Sequence, residues 1–356
     1  MNDQPTVPSA PSVPIAPATI DDVARLAGVS TATVSRALNQ HPYVAAATRA
    51  KVIQAATELR YTANPNASRL ASGATHTVGL MAPVLTSWYT SEVVAGVEEA
   101  CAERGFDLLI GTADGEARER MLSGETRFRQ RVDGIILVDV MCREAGAERL
   151  ATLDVPVVVL GEELDAVDSV SVDNIAGAGM AAQHLVDLGH RRIGVIGGVS
   201  YAQDAHDVPT DRLLGVRTTL ERCGCPLDTA LVQDGGFTIE GGRRAMHALL
   251  DHGEPPTAVF AMSDEMGFGA MKALRERGLV PGTDVSVVGF DGHPVADAVG
   301  LSTVHQPVRD IGRCGAALLL GLLDGAPRSG HHRMQVTLAQ RASSGVVPAL
   351  SPGDER

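Results

Sequence analysis

The clearest pattern along the chain is helical. Between Thr19 and Leu38, TIDDVARLAGVSTATVSRAL, apolar residues recur every three or four positions, and a glycine divides the run in two. Thr19 can cap the first helix, with Asp22 at its third position favouring the start. Val23, Ala24, Leu26 and Ala27 form its expected apolar stripe, and Gly28 supplies a tight turn with positive φ. Ser30 then caps a second helix, Thr31–Leu38, with Val34 and Leu38 facing inward at i, i+4. A third helix is expected from Ala46 to Leu59, burying Val52, Ala55, Ala56 and Leu59. Three helices this small bury little surface, so the unit should be marginally stable. Residues 1–18 place prolines at 5, 8, 11, 14 and 17 and read as a disordered arm. NPNASRLA (64–71) offers Asn64 as a cap and Pro65 at the first helical position, yet so short a helix should be largely unfolded alone. SGATHT (72–77) reads as a joint.

Beyond residue 77 the rhythm changes to strands and helices. Apolar strands are expected at Val78–Ala82, Asp107–Ile110, Gly134–Val138 and Val155–Leu160, with a helix over Ser91–Arg104. A second run follows Asp173. Its helices are Gly177–Leu188, Arg212–Arg222, Glu240–Leu250 and Gly267–Arg277; its strands are Arg192–Ile196, Leu231–Gln233, Ala258–Ala261 and Val285–Gly289. Such alternation implies parallel sheets covered on both faces, here two α/β lobes. A ligand would sit in the crevice at the carboxyl ends of the strands.

Composition sharpens this picture. At 356 residues the chain is too long for one ordinary core. Aromatic residues are only 3% of it, so the cores must be built from Ala, Val, Leu and Ile. The net charge of −13 argues against a protein coated in nucleic acid, but charge has to be read by domain. Residues 1–76 hold six basic side chains against four acidic ones, so the acidic excess belongs wholly to the large domain. That domain should stand off from a phosphate backbone. Five cysteines in no metal-ligand rhythm, with Cys223 and Cys225 one residue apart, read as free cytosolic thiols. No signal-peptide pattern and no apolar run near 18 residues is present, so a cytoplasmic chain without a membrane partner is expected. Gly197-Gly198 lacks the glycine and lysine of a phosphate loop, and no GxSxG, HExxH or paired-carboxylate pattern appears. An enzyme, a metal site and a cofactor are therefore not expected.

The second helix exposes Thr31, Ala32, Thr33, Ser35 and Arg36, a set suited to the major groove. Arg36 can grip guanine or neutralise a phosphate, and threonine methyls can meet thymine methyls. TIDDVARLAGVSTATVSRALN, continued by VAAATRAKVIQAATELRYTANPNASRLASG, strongly resembles the LacI-type (LacI/GalR) family of bacterial transcription regulators. The resemblance implies base-reading positions at Thr31, Ala32 and Arg36 and phosphate contacts from Ser30, Thr33, Ser35 and Asn39. It further implies that 64–71 folds as a hinge helix in the minor groove, with Asn64 and Ala67 at the DNA and Leu70 as the wedge at the central base step. Two departures stand out: Pro65 comes two places later than the family's proline, and Ala45 stands where a serine often caps the third helix.

VGLMAP (78–83), VDGIILVDV (132–140), VDNIAGAGMAAQHLVDLGHRRIGVIGG (172–198), SDEMGFGAMKAL (263–274) and DVSVVGFDG (284–292) extend the resemblance to residues 19–347. The fold implied is α/β: an all-α helix-turn-helix headpiece (19–63) with a hinge helix and linker (64–76), then a two-lobed periplasmic-binding-protein-like domain of parallel sheets (77–350). Lobe 1 is expected at 77–174 plus 305–332 and lobe 2 at 175–303 plus 333–350, crossing near 174–177, 302–306 and Arg333. By chemistry, a polyhydroxylated ligand needs aromatic faces and charged or amide groups for its hydroxyls. Trp88, the lone tryptophan, is expected in the loop after the first strand, next to Tyr89. Phe237 lies in a Gly-rich loop, and Asp291 ends a strand. The resemblance puts Trp88, Arg212, Phe237, Ser263 and Asp291 at effector-contact positions, with Tyr89 beside them and Asp264 as a structural neighbour. Ser263 replaces a common asparagine, and Gly161 replaces a side chain that meets effector in some members.

The function implied is a repressor on a pseudopalindromic double-stranded DNA operator. It would act as a homodimer, with affinity set by a small molecule such as a mono- or oligosaccharide. The alternative is a sugar-binding protein without regulatory role, against which the fused headpiece counts.

Overall fold

The computed structural model describes residues 18–38, 43–61, 74–112, 120, 128, 130–139, 144–198 and 207–347. The arm up to residue 17, Asn39, and the hinge segment with Asn64, Ala67 and Leu70 lie outside the described residues. The chain divides into two compact units that meet at Thr75 and His76.

The first unit contains α1 (Ile20–Ala27), α2 (Thr31–Leu38) and α3 (Ala46–Glu58). Thr19 and Asp22 cap α1 reciprocally: the Thr19 N–H donates to Asp22 Oδ2 at 3.0 Å, and the Asp22 N–H donates to Thr19 Oγ1 at 3.3 Å. Gly28, at φ +67°, ends the helix in the left-handed region. The core is Val23, Ala24, Val34, Ala37, Val52, Ala55 and Ala56. Leu26, expected in the stripe, is instead 48% exposed. Ile20, Val23, Ala24 and Ala27 set the inward arc, and position 26 falls roughly a third of a turn away from its middle. Ala45 begins α3 with no side-chain hydrogen bond.

The second unit holds two six-stranded sheets. The first comprises β1 (Thr77–Ala82), β2 (Asp107–Thr112), β3 (Gly134–Val138), β4 (Val157–Leu160), β5 (Asp168–Val172) and β11 (His331–Met334). Its order is β11-β5-β4-β3-β1-β2, parallel throughout. The second comprises β6 (Ile193–Gly197), β7 (Val232–Asp234), β8 (Ala258–Ala261), β9 (Ser286–Asp291), β10 (Ser302–His305) and β12 (Thr337–Ala339). Its order is β12-β10-β9-β8-β6-β7, and only β12 runs antiparallel, against β10. Helices α4 (Trp88–Glu103), α5 (Glu144–Leu150), α6 (Asn174–Asp187), α7 (Val208–Arg222), α8 (Ile239–Leu250), α9 (Asp264–Glu276), α10 (Pro294–Val299) and α11 (Val308–Leu323) connect and cover them. Strands β1, β3, β4, β6, β8 and β9 are buried along their whole length, which explains their near-continuous apolar sequences.

The chain passes between sheets after Val172, after His305 and after Met334. Arg333 pairs with Ser171 inside the first sheet, so the last passage falls at residues 335–336. Strand β5, DSVSV, escapes the apolar pattern although fully buried. Its Ser169 and Ser171 hydroxyls meet the two His331 ring nitrogens at 3.0 and 3.4 Å, which lets polar residues occupy an interior strand.

Candidate DNA-reading helix and effector cleft

In the headpiece, local chemistry settles which side chains of α2 stay available. Ser30 accepts from the Thr33 N–H at 3.2 Å, and the two hydroxyls lie 2.9 Å apart, so both serve the helix start. Val34 and Ala37 face the core. Thr31, Ala32 and Arg36 are exposed, whereas Thr33 and Ser35 are half-buried. The helix therefore offers one guanidinium between small groups.

In the second unit, the residues with polar chemistry gather where parallel strands end. Asp139 follows β3, Gly161 follows β4, Ser263 follows β8 and Asp291 ends β9. Arg212, on α7, is 4% exposed. Its Nε donates to Asn174 Oδ1 at 2.9 Å, one Nη donates to the Met262 carbonyl, and the same Nη lies 3.7 Å from Asp291 Oδ1. The guanidinium also stacks on Phe290, 3.6 Å from the ring centroid. Asp291 holds φ at +130°, and its Oδ1 accepts from Gln306 Nε2 at 2.8 Å. Asp264 accepts from the Gly292 and His293 N–H groups at 2.9 and 2.7 Å and from Thr303 Oγ1 at 2.5 Å. It pins the loop that carries Asp291. Burial raises both carboxyls above the ordinary range; Arg212 draws Asp291 back down, while for Asp264 the charge of Asp291 adds to the rise.

From the first lobe, Tyr89 and Asp139 face this group. Burial raises the Tyr89 hydroxyl well above the usual range, Asp139 and Asp291 adding to the rise and Arg212 opposing it. Burial pushes Asp139 up to about 7, with Arg212 pulling it back. Trp88 is not in a loop. It is the first residue of α4, capped by Ser87, whose Oγ accepts from the Thr90 N–H at 3.2 Å. Its ring lies 4.7 Å from that of His293, and His293 meets Phe268 edge-on at 5.2 Å. Burial raises the Glu265 carboxyl, and the backbone N–H of Trp88 draws it back down. Trp88 thus touches the second lobe directly.

The structure brings Tyr89, Arg212 and Asp291 into one electrostatic group. Phe237 lies with its ring against Gly198, the residue that follows β6 at the carboxyl end of the second sheet. Ser263 spends its hydroxyl capping α9, accepting from the Met266 N–H at 3.2 Å. Asn174, Gln306, His293 and Asp139 belong to the site and were not anticipated. The Asp139 signal was legible: IILVD repeats the apolar-run-then-Asp pattern of VVGFD. Among the described residues, no group of three or more His, Cys, Asp and Glu is placed to hold a metal, and no helix is long and apolar enough to cross a membrane.

A model of the bacterial regulatory proteins of the lacI family matches residues 19–64, and one of the periplasmic binding protein-like domain matches residues 182–344. The ribose operon repressor of Escherichia coli (strain K12) is 34% identical, covering 92% of this chain and 100% of that protein. The chain belongs to the LacI family. Among solved structures, the lac repressor dimer bound to operator and the anti-inducer ONPF is 29% identical with a TM-score of 0.82, covering 93% of this chain and 100% of that one. A complex of the transcriptional regulator CelR with cellobiose is 34% identical with a TM-score of 0.67, covering 92% and 100%. The protein is accordingly a DNA-binding LacI-family repressor under small-molecule control, and its relatives are transcription regulators rather than enzymes.

Proposed function

We propose that this LacI-family repressor works in the cytoplasm as a homodimer, without catalytic activity, and that its effector is a neutral sugar bound in the cleft around Arg212 and Asp291. The observation that carries the reading is that cleft itself: a guanidinium, a carboxyl and a phenol at the carboxyl ends of strands, between lobes joined by three chain passages. Bidentate groups of this kind suit vicinal hydroxyls. Two relatives agree: one is the repressor of a ribose operon, and another was solved with cellobiose.

At the operator, Thr31, Ala32 and Arg36 read base edges, while Ser30, Thr33, Ser35 and Asn39 contact phosphates. Asn64, Ala67 and Leu70 act from the hinge in the minor groove. A headpiece with so small a basic excess binds weakly alone, so two are needed, and the lac repressor dimer on its operator supplies the precedent. Arg212 and Asp291 hold the ligand, Tyr89 and Phe237 flank it, Ser263 orders the end of α9, and Trp88 couples lobe 1 to His293 of lobe 2. Ligand that alters the angle between lobes alters the hinge, and operator must alter ligand affinity by the same factor.

Asp291→Ala provides the test. It should abolish the effect of sugar on operator binding while sugar-free DNA binding persists; an unchanged sugar response would mean that the effector binds elsewhere.

A further inference from the structure

Both Asp264 carboxylate oxygens and one of Asp291 are already committed. Asp264 is held by two backbone N–H groups and Thr303, and Asp291 Oδ1 by Gln306. Asp139 differs. Its Oδ1 is buried and has no hydrogen-bond partner among the described residues. An orphaned acceptor of this kind is costly unless something else satisfies it.

The backbone has been arranged to keep it there. Asp139 adopts φ +46°, a left-handed value, and its N–H donates to the Leu160 carbonyl at 2.9 Å. That bond lays the carboxyl over Gly161, the residue that follows β4. A Cβ at position 161 would overlap Asp139 Oδ1, so the glycine leaves the space the carboxyl fills. The group shares its surroundings with Arg212, Asp291 and Tyr89. Arg212, meanwhile, is already engaged by Asn174, Met262 and Asp291. Three acids, Asp139, Asp264 and Asp291, thus surround this one cation, so a further anion would enter an already acidic group.

We propose that Asp139 contacts the ligand directly, accepting a hydroxyl hydrogen from a neutral polyhydroxyl molecule, and that its carboxyl turns away ligands bearing a phosphate. This rests on the reading of the cleft as the effector site. Asp139 is then a specificity residue: it distinguishes a free sugar from its phosphate monoester.

The test is calorimetric titration of the full chain with D-ribose, D-glucose and cellobiose and with the phosphate monoesters of the two monosaccharides. At least one neutral sugar should bind, and where that sugar is a monosaccharide it should bind more tightly than its ester. Asp139→Ala should weaken the neutral sugar about 10-fold or more, the loss of one buried hydrogen bond, and should strengthen ester binding relative to it. Asp139→Asn, which keeps the shape and one acceptor oxygen, should weaken the sugar less and favour the ester likewise. Should Asp139→Ala misfold, the Asn variant carries the same comparison. Neutral-sugar binding unchanged in Asp139→Ala, or an ester that binds the parent better than its sugar, overturns the proposal. Asp291→Ala separates the two readings. If it loses the sugar while Asp139→Ala does not, the cleft stands and Asp139 is not a contact. If neither variant alters sugar binding, or no neutral sugar binds, both fall.

Discussion

Arg212→Met removes the guanidinium at the centre of the cleft and keeps most of the stem that packs there. The variant loses the bonds to Asn174 and to the Met262 carbonyl, and it leaves Asp291 facing a methyl group. The Asp291 pair itself is loose at 3.7 Å, so it contributes less than the two hydrogen bonds. Charged hydrogen bonds are worth about 1.5–3 kcal/mol each, and the stack on Phe290 adds about 1 kcal/mol. Relief from burying a charge offsets part of this, but only one member is removed and its neighbours stay unpaired. The expected net loss is about 3–5 kcal/mol. Urea unfolding followed by tryptophan fluorescence measures it, because Trp88 is the lone tryptophan and reports the second unit only. The midpoint should fall by roughly 1–2 M. A loss below about 1 kcal/mol would refute the view that Arg212 organises the lobe as well as the ligand site.

Three further outcomes are expected. Leu70→Ala should weaken specific operator binding far more than binding to random duplex in anisotropy titrations; equal losses would remove Leu70 as the wedge. Ala45→Ser should supply the cap that α3 lacks and stabilise the headpiece by about 0.5–1 kcal/mol, seen as slower hydrogen exchange of its amides. No change in exchange would mean another group already serves that helix start. Asp139→Asn should change the pH dependence of stability. Asp139 keeps its proton in the folded chain up to about 7 against an ordinary 3.8, so its favourable contribution is whole below about pH 4 and is lost as pH rises through 7. Asparagine has no such proton, so the variant should gain on the parent between pH 4 and 8 by a few kcal/mol at most. A difference flat across that range in urea titrations would place Asp139 in water.

Much of the architecture was legible because burial wrote it in apolar runs: strands such as GIILV and AVFA sit in the sheet interiors where their composition puts them. What escaped was polar burial. DSVSV looks like a surface segment until His331, more than 150 residues later, is seen to satisfy Ser169 and Ser171. Trp88 was expected in a loop because Ser91 also looks like a helix start; the cap is Ser87, and the aromatic ring is carried on the helix toward His293. In the cleft, Arg212 and Asp291 could be proposed from motif positions. Asn174 and Gln306 could not, since each is a single amide at a passage between sheets, and only the fold puts it beside the charge it serves.

The central claim is that one cleft and one operator are linked through this chain. The decisive measurement takes a duplex selected by the full chain from random sequence and titrates it by anisotropy with and without D-ribose, D-glucose or cellobiose. The same sugar is then titrated calorimetrically with and without saturating duplex. The expected result is a palindromic selected sequence, a shift of about 5-fold or more for at least one sugar, and the same factor in both directions. A selected sequence without two-fold symmetry, or operator affinity indifferent to every sugar, would contradict it.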